Sequence, residues 1–256
     1  MTNIGMVPKS LVFTLLAMSL MLTPMILAQP LANHMAAGLA RCAAWQEVPA
    51  AAPTITANVT CDNDFALYVG DCCVATTFIG NNSCDVLNSC IRAGKQFTIG
   101  PGGMPAVSLT GSGYIYIVAW SDAFVAQGLL ASFQVLPHAP ILSGDHLWQV
   151  YATNVTFPSS PGSKKFTKFL NKQLDIACSG NLWTAPAVGG TNQTGNMVPG
   201  GSGTSLEPVG VSIIAGAAKW MWFQSGMSSC AGPDSPFAPG CNHNEFLIFR
   251  LPASYL

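Results

Sequence analysis

From Thr54 onward, apolar and polar positions alternate in short runs. TITANVT, DFALYVG, VATTFIG, KQFTIG, YIYIVAW and LLASFQVL are rich in β-branched and aromatic residues and are bounded by Gly, Asn, Asp or Pro. LWQVYATNVTF, VGVSIIA, AKWMWF and EFLIFRL continue the pattern. Period two over such lengths predicts strands. Within TCDNDFALYVGDCC, Phe65, Leu67 and Val69 then face the core, and Ala66 and Tyr68 face outward. Asp62, Asn63 and Asp64 stand at the strand entrance, where short acceptor side chains fix a turn.

Helical spacing recurs late in the chain only in FTKFLNKQLDIA, where Phe166, Phe169, Leu170 and Leu174 share a face. The stretch Thr184 to Gly210 is loop by composition, and no internal repeat is visible. Many short strands, few helices and Gly/Pro turns predict an all-β protein, an antiparallel sandwich or barrel.

The N-terminus breaks this pattern. One positive charge in MTNIGMVPK precedes the apolar run SLVFTLLAMSLMLTPMILA, so residues 1–28 are expected to be a secretory signal peptide. The run approaches the ~20 residues that span a bilayer, so a retained hydrophobic anchor is the competing reading. Residues 29–53 form an Ala-rich arm with room for a short helix, and residues 54–256 are expected to form one domain.

Composition then narrows the function. Of 256 residues 8% are charged, against roughly 25% in an ordinary soluble domain. Lys and Arg total ten and form no patch beyond Lys164, Lys165, Lys168 and Lys172, which argues against nucleic acid as a partner. A neutral surface suits a protein coated by glycans or packed against its own copies. Four sequons, at Asn58, Asn81, Asn154 and Asn192, agree with a secreted glycoprotein.

Nine cysteines in an oxidising compartment make disulfides the default. Cys84 with Cys90, and Cys230 with Cys241, are the pairs suggested by short loop closure, although connectivity does not follow from sequence. Cys72 and Cys73 point to opposite faces of an extended segment and therefore require different partners. An odd count leaves one thiol free, oxidised or joined to another chain.

Candidate chemistry is sparse. Asp62 and Asp64 suit either turn capping or a structural calcium site. Cys241, His243 and Glu245 would share one strand face at about 6–7 Å intervals. A zinc ion there needs a fourth ligand, and pairing of Cys241 with Cys230 competes for the thiolate, so no metal is expected. Among the tryptophans, Trp183 and Trp222 are the candidates for stacking on sugar. No H-E-x-x-H, Gly-x-Ser-x-Gly or phosphate loop occurs. The three glutamates (Glu47, Glu207, Glu245) define no acid pair, and His138, Ser143 and His146 are merely close in sequence. No enzyme activity and no cofactor beyond the calcium candidate are expected.

TANVTCDNDFALYVGD resembles the A-D-N-x-F-x-L-Y-V-N-G strand of galactose-binding-like jelly-roll modules, which accompany bacterial α-L-rhamnosidases and related extracellular proteins. YIYIVAWSDAFVAQGLLASFQV, AKWMWF and NEFLIFRLP are similar, in the same order, to later strands of those modules. The resemblance runs from about Thr54 to Pro252 and implies a jelly-roll sandwich with one or two short helices. Gly70-Asp71 and the vicinal cysteines replace the family's N-G turn, so the resemblance carries over the fold and not sugar binding. Two functional expectations follow. One is a secreted, non-catalytic structural or adhesive subunit that assembles into an extracellular layer or fibre as a homo-oligomer. The other is a carbohydrate-binding, lectin-like module.

Overall fold

A computed structural model describes residues 53–62, 64–82, 94–109, 111–121, 127–156, 160–194, 211–223, 225, 237 and 245–256. All fall within the larger of two compact units of the chain, Trp45–Leu256. The leader, and the arm apart from Pro53, lie outside the described residues.

Eleven strands are described, in two wholly antiparallel sheets, and the fold is an all-β sandwich. The first sheet contains β1 (Ile55–Asp62), β4 (Lys95–Ile99), β6 (Gly128–Gln134), β9 (Ala187–Thr191) and β10 (Lys219–Trp222), ordered β4-β1-β6-β10-β9. The two-residue β7 (Ile141–Leu142) also pairs with β6. The second sheet contains β2 (Asp64–Asp71), β3 (Val74–Asn81), β5 (Tyr114–Trp120), β8 (Gln149–Thr156) and β11 (Glu245–Pro252), ordered β3-β2-β5-β11-β8.

Alternation explains the packing. Ile55, Ala57, Val59 and Cys61 of β1 meet Phe65, Leu67 and Val69 of β2 in the core between the sheets, with Ile115, Ile117, Leu247, Phe249 and Leu251. The other face of the second sheet is not solvated. Ala66, Tyr68, Tyr116, Val118, Phe246 and Ile248 lie there beneath helix α1 (Lys164–Ser179), which lays Phe166, Leu170, Leu174 and Ala177 on them. Ala66 and Tyr68 thus face away from the inter-sheet core, as alternation predicts, yet are fully buried. Ser163 caps α1 by accepting from the Phe166 amide at 3.1 Å, and Gly180 ends it. No helix among the described residues is long and apolar enough to cross a membrane.

Two sequence expectations need correction. The stretch from Thr184 is not all loop: Ala187–Thr191 is β9, an edge strand held by backbone pairing with β10, and Asn192–Thr194 is a 3-10 turn. Conversely, the part of VGVSIIA that is described, Val211 onward, makes turns rather than a strand. Val211 and Ile214 plug the core while Ser212 and Ile213 are exposed, so their hydrophobicity reflects a buried loop. The short β7 had no readable alternation.

The ends of the strands collect into two ends of the sandwich. One holds the β1-to-β2 connection at Asp62 and Asp64, with Trp120, Gly128 and Glu245. The opposite end holds Ile55, Ile99, Gln134, Gly70, Tyr114, Gln149 and Pro252.

Candidate functional site: an arginine beneath a tethered helix

A row of side chains crosses the helix-covered face of the second sheet. Register places Phe78, Tyr68, Tyr116, Arg250 and Gln149 on β3, β2, β5, β11 and β8 as successive cross-strand neighbours. The first members are apolar or phenolic. Tyr68 packs on Phe78 with ring centroids 5.1 Å apart, and its hydroxyl accepts from the Gly162 amide at 2.8 Å. The Tyr116 hydroxyl donates to the Asp71 carbonyl. Burial pushes the phenols of both Tyr68 and Tyr116 up from their ordinary value.

Arg250 is the exception in this row. It is only 9% exposed, and among the described residues it makes no ion pair. Its guanidinium lies between two rings, 3.9 Å from the Trp183 centroid and 4.9 Å from that of Tyr114. Cation–π attraction offsets part of the lost hydration there. Nε donates to Gln149 Oε1 at 2.8 Å. Nη1 approaches the Cys72 carbonyl at 3.5 Å and Cys178 Sγ at 4.0 Å. Desolvation lowers the Arg250 pKa, while Tyr114 and Tyr116 oppose the shift. Arginine stays charged through any physiological pH.

Above this cation lies a cluster of sulfur. Cys73 and Cys178 form a disulfide that ties the β2–β3 turn to the last turn of α1. Cys72 is also disulfide-bonded, and its Sγ lies 3.6 Å from that of Cys73. The three sulfurs lie within 4.8 Å of one another, yet oxidised sulfur offers no thiolate to a metal. Cys72 and Cys73 do have different partners, but the expected opposite orientation is corrected: the two residues form the β2–β3 turn rather than an extended segment, and the turn brings both sulfurs to one side.

The residues singled out by sequence are dispersed. Trp183 is half-buried, but one ring face is taken by Arg250 and Tyr151 meets it edge-on at 6.0 Å. Its Nε1 is buried without a hydrogen-bond partner among the described residues. Trp222 is fully buried and packs on Phe249 at 6.2 Å, so its faces are closed to a sugar. Asp62 is buried and Asp64 half-buried, at the two sides of Asn63. Both carboxylates reinforce the upward shift that burial imposes on Cys61, a free thiol wholly within the core. Neither belongs to a group of three metal-ligating side chains among the described residues.

Glu245 is buried and accepts from the Ser225 hydroxyl, whereas Cys241 and His243 lie outside the described residues. Cys84, Cys90 and Cys230 lie outside them as well. Ser143 accepts from the Ala131 amide at 3.0 Å, while His146 is 90% exposed beside Asp145, so these residues build no triad.

The sequons also separate. Asn154 is exposed, and Asn58 and Asn81 are half-buried. Asn192 stands apart from the other three. It is 5% exposed, and its amide nitrogen donates to the carbonyls of Ile214 at 2.7 Å and Val211 at 3.0 Å. A nitrogen so engaged has no room for a glycan.

Sequence reasoning missed Arg250, Tyr114 and Gln149. The available signal was a lone arginine inside the apolar run EFLIFRLP, on the face opposite Leu247, Phe249 and Leu251. No family model, curated protein or solved structure matches the chain.

Proposed function

We propose that the protein is a non-catalytic, secreted and glycosylated sandwich subunit that assembles with its own copies outside the cell. The observation that carries this reading is an apolar end of the sandwich. Met104 is 92% exposed, Leu136 82% and Tyr255 50%. They lie in the β4–β5 and β6–β7 connections and after β11, all at the end that holds Ile55 and Pro252. Exposed apolar groups at a shared end suit a contact surface, and the low charge of the chain supplies little repulsion between copies. The galactose-binding-like resemblance supports the same architecture without supplying a ligand.

Size-exclusion chromatography with light scattering across a concentration series tests this. Concentration-dependent association is expected, and Met104→Asp with Leu136→Asp is expected to abolish it. A wild-type chain that stays monodisperse and monomeric at high concentration sinks the proposal.

One observation favours the carbohydrate reading as a second. Lys164, Lys165, Lys168 and Lys172 are all exposed on α1, with Asp175 as the acidic neighbour on the same face. Such a stripe fits acidic glycans carrying sulfate or uronate better than neutral sugars. Binding to an array of sulfated glycans, lost in Lys168→Gln with Lys172→Gln, is its expected signature. Silence on the sulfated glycans removes it.

A further inference from the structure

We infer that the sulfur cluster above Arg250 is a thiol–disulfide exchange site, with Cys73 as the sulfur attacked and Cys178 as the leaving group. Its substrate class is a small or peptide thiol. The inference is independent of whether the chain assembles.

The geometry distinguishes the two sulfurs of the bond. Cys178 Sγ has a permanent cation 4.0 Å away in Arg250 Nη1, held in place by two rings and Gln149. No cation is placed beside Cys73 among the described residues. Leaving-group ability rises as the departing thiol becomes more acidic, and a neighbouring cation has that effect. The position of Cys178 in the last turn of α1 works the other way, since a helix C-terminus carries partial negative charge. That opposing field is blunted, because the terminal carbonyls are occupied. The Ile176 carbonyl accepts from Gly180, Ala177 from Leu182 and Cys178 from Asn181. A full charge at contact distance outweighs what remains. All three cysteines are partly exposed, so an incoming thiol has access.

The electron count closes without an oxidant or reductant. An external thiolate attacks Cys73 Sγ and forms a mixed disulfide. The Cys73–Cys178 bond breaks, and its electron pair leaves on Cys178 Sγ as thiolate. That thiolate lies within 4.8 Å of Cys72 Sγ, itself disulfide-bonded. Attack there forms Cys72–Cys178 and expels the former partner of Cys72 as thiolate. One disulfide is consumed and one formed in each step. Opening the first bond also releases the end of α1 from the β2–β3 turn.

The test uses the full chain with its disulfides intact, incubated with graded reduced glutathione, quenched in acid, alkylated and mapped as peptides by mass spectrometry. At the lowest glutathione giving product, glutathione is expected on Cys73, with Cys178 either alkylated or bonded to Cys72. Glutathione on Cys178 with Cys73 alkylated overturns the assignment. So does a Cys73–Cys178 bond that opens last. Arg250→Gln is expected to slow exchange about threefold, since only about half of a one-unit rise in the leaving thiol's pKa is expressed in the rate, and Arg250→Lys to restore most of it. A merely structural Arg250 predicts the reverse, since loosening the cluster would speed exchange, and an equal or faster rate in Arg250→Gln rejects the proposal. Should that variant not fold, the peptide map of the unaltered chain still decides.

Discussion

The sequon at Asn192 gives the sharpest prediction, because structure and sequence motif disagree about what this side chain does. Its Oδ1 accepts from the Val211 amide at 2.7 Å, and its Nδ2 donates to the carbonyls of Val211 and Ile214. These bonds hold the turn that plugs Val211 and Ile214 into the core, after a segment 19 residues away in sequence. Asn192→Ala leaves one buried amide and two carbonyls without that partner. Each unsatisfied buried polar group costs about 1–3 kcal/mol, and water entering the space left by the side chain recovers part of it. The expected loss is therefore about 3 kcal/mol, a large share of the roughly 5–15 kcal/mol that holds a typical domain together. For a chain of this size that corresponds to a fall of roughly 6–12 °C in Tm.

Removing the sequon without touching the asparagine separates the two roles. Thr194→Ala destroys the glycosylation signal, keeps the asparagine, and is expected to leave glycan mass unchanged. Urea denaturation of the two variants, with peptide mapping of glycan occupancy in the secreted wild type, provides the readout. Occupied Asn192 in folded wild-type protein, or a loss below about 1 kcal/mol for Asn192→Ala, would refute the reasoning.

Three further outcomes follow from other parts of the fold. The Cys73–Cys178 bond spans 105 residues, so replacing both cysteines by alanine is expected to cost about 2–4 kcal/mol in denaturant unfolding, with an unchanged midpoint as the contrary result. Gly70→Ala would place a Cβ 1.9 Å from the Val74 carbonyl oxygen, a backbone atom with nowhere to go, and is expected to prevent soluble folding; normal yield and Tm would show that the β2–β3 approach is looser. Burial raises the pKa of Cys61, Tyr68, Tyr116 and Tyr151, so the native state retains protons that the unfolded chain releases. Their stabilisation is complete below the unfolded values, ~8.5 for thiol and ~10 for phenol, and is lost as pH climbs toward the folded ones. Urea midpoints should therefore fall from about pH 9 upward, and a flat profile to pH 11 would contradict the burial of these groups.

The sandwich was legible because side chains of its central strands alternate between the inter-sheet core and the opposite face. Phe65, Leu67 and Val69 fall inward as read, and FTKFLNKQLDIA lies within α1, which begins two residues earlier at Lys164 because Ser163 supplies the cap. Where residues do something other than alternate, the reading failed. In β9 the sequence AVGGT offers the ladder little besides backbone, so composition resembles loop. At Val211 and Ile214 the reverse holds, since apolar side chains in a turn imitate a strand. At Asn192 motif and structure point different ways, because N-x-T describes a signal for an enzyme and nothing in three letters shows whether the amide is engaged inside.

The arginine cluster was hidden for a deeper reason. A buried guanidinium is tolerated only where rings and acceptors arrive from several elements, and here they reach Arg250 of β11 from four places. Tyr114 comes from β5, Gln149 from β8, Trp183 from the segment after α1, and the Cys72 carbonyl from the β2–β3 turn. No local pattern relates residues separated by 101 or 178 positions. The covering helix makes the site, because without α1 the outer face of the second sheet would be wet and Arg250 an ordinary surface cation. Helix, disulfide and buried charge are therefore one device: the disulfide tethers the helix end, the helix keeps the sheet face dry, and the dry face concentrates the field of Arg250 on the sulfur that tethers it.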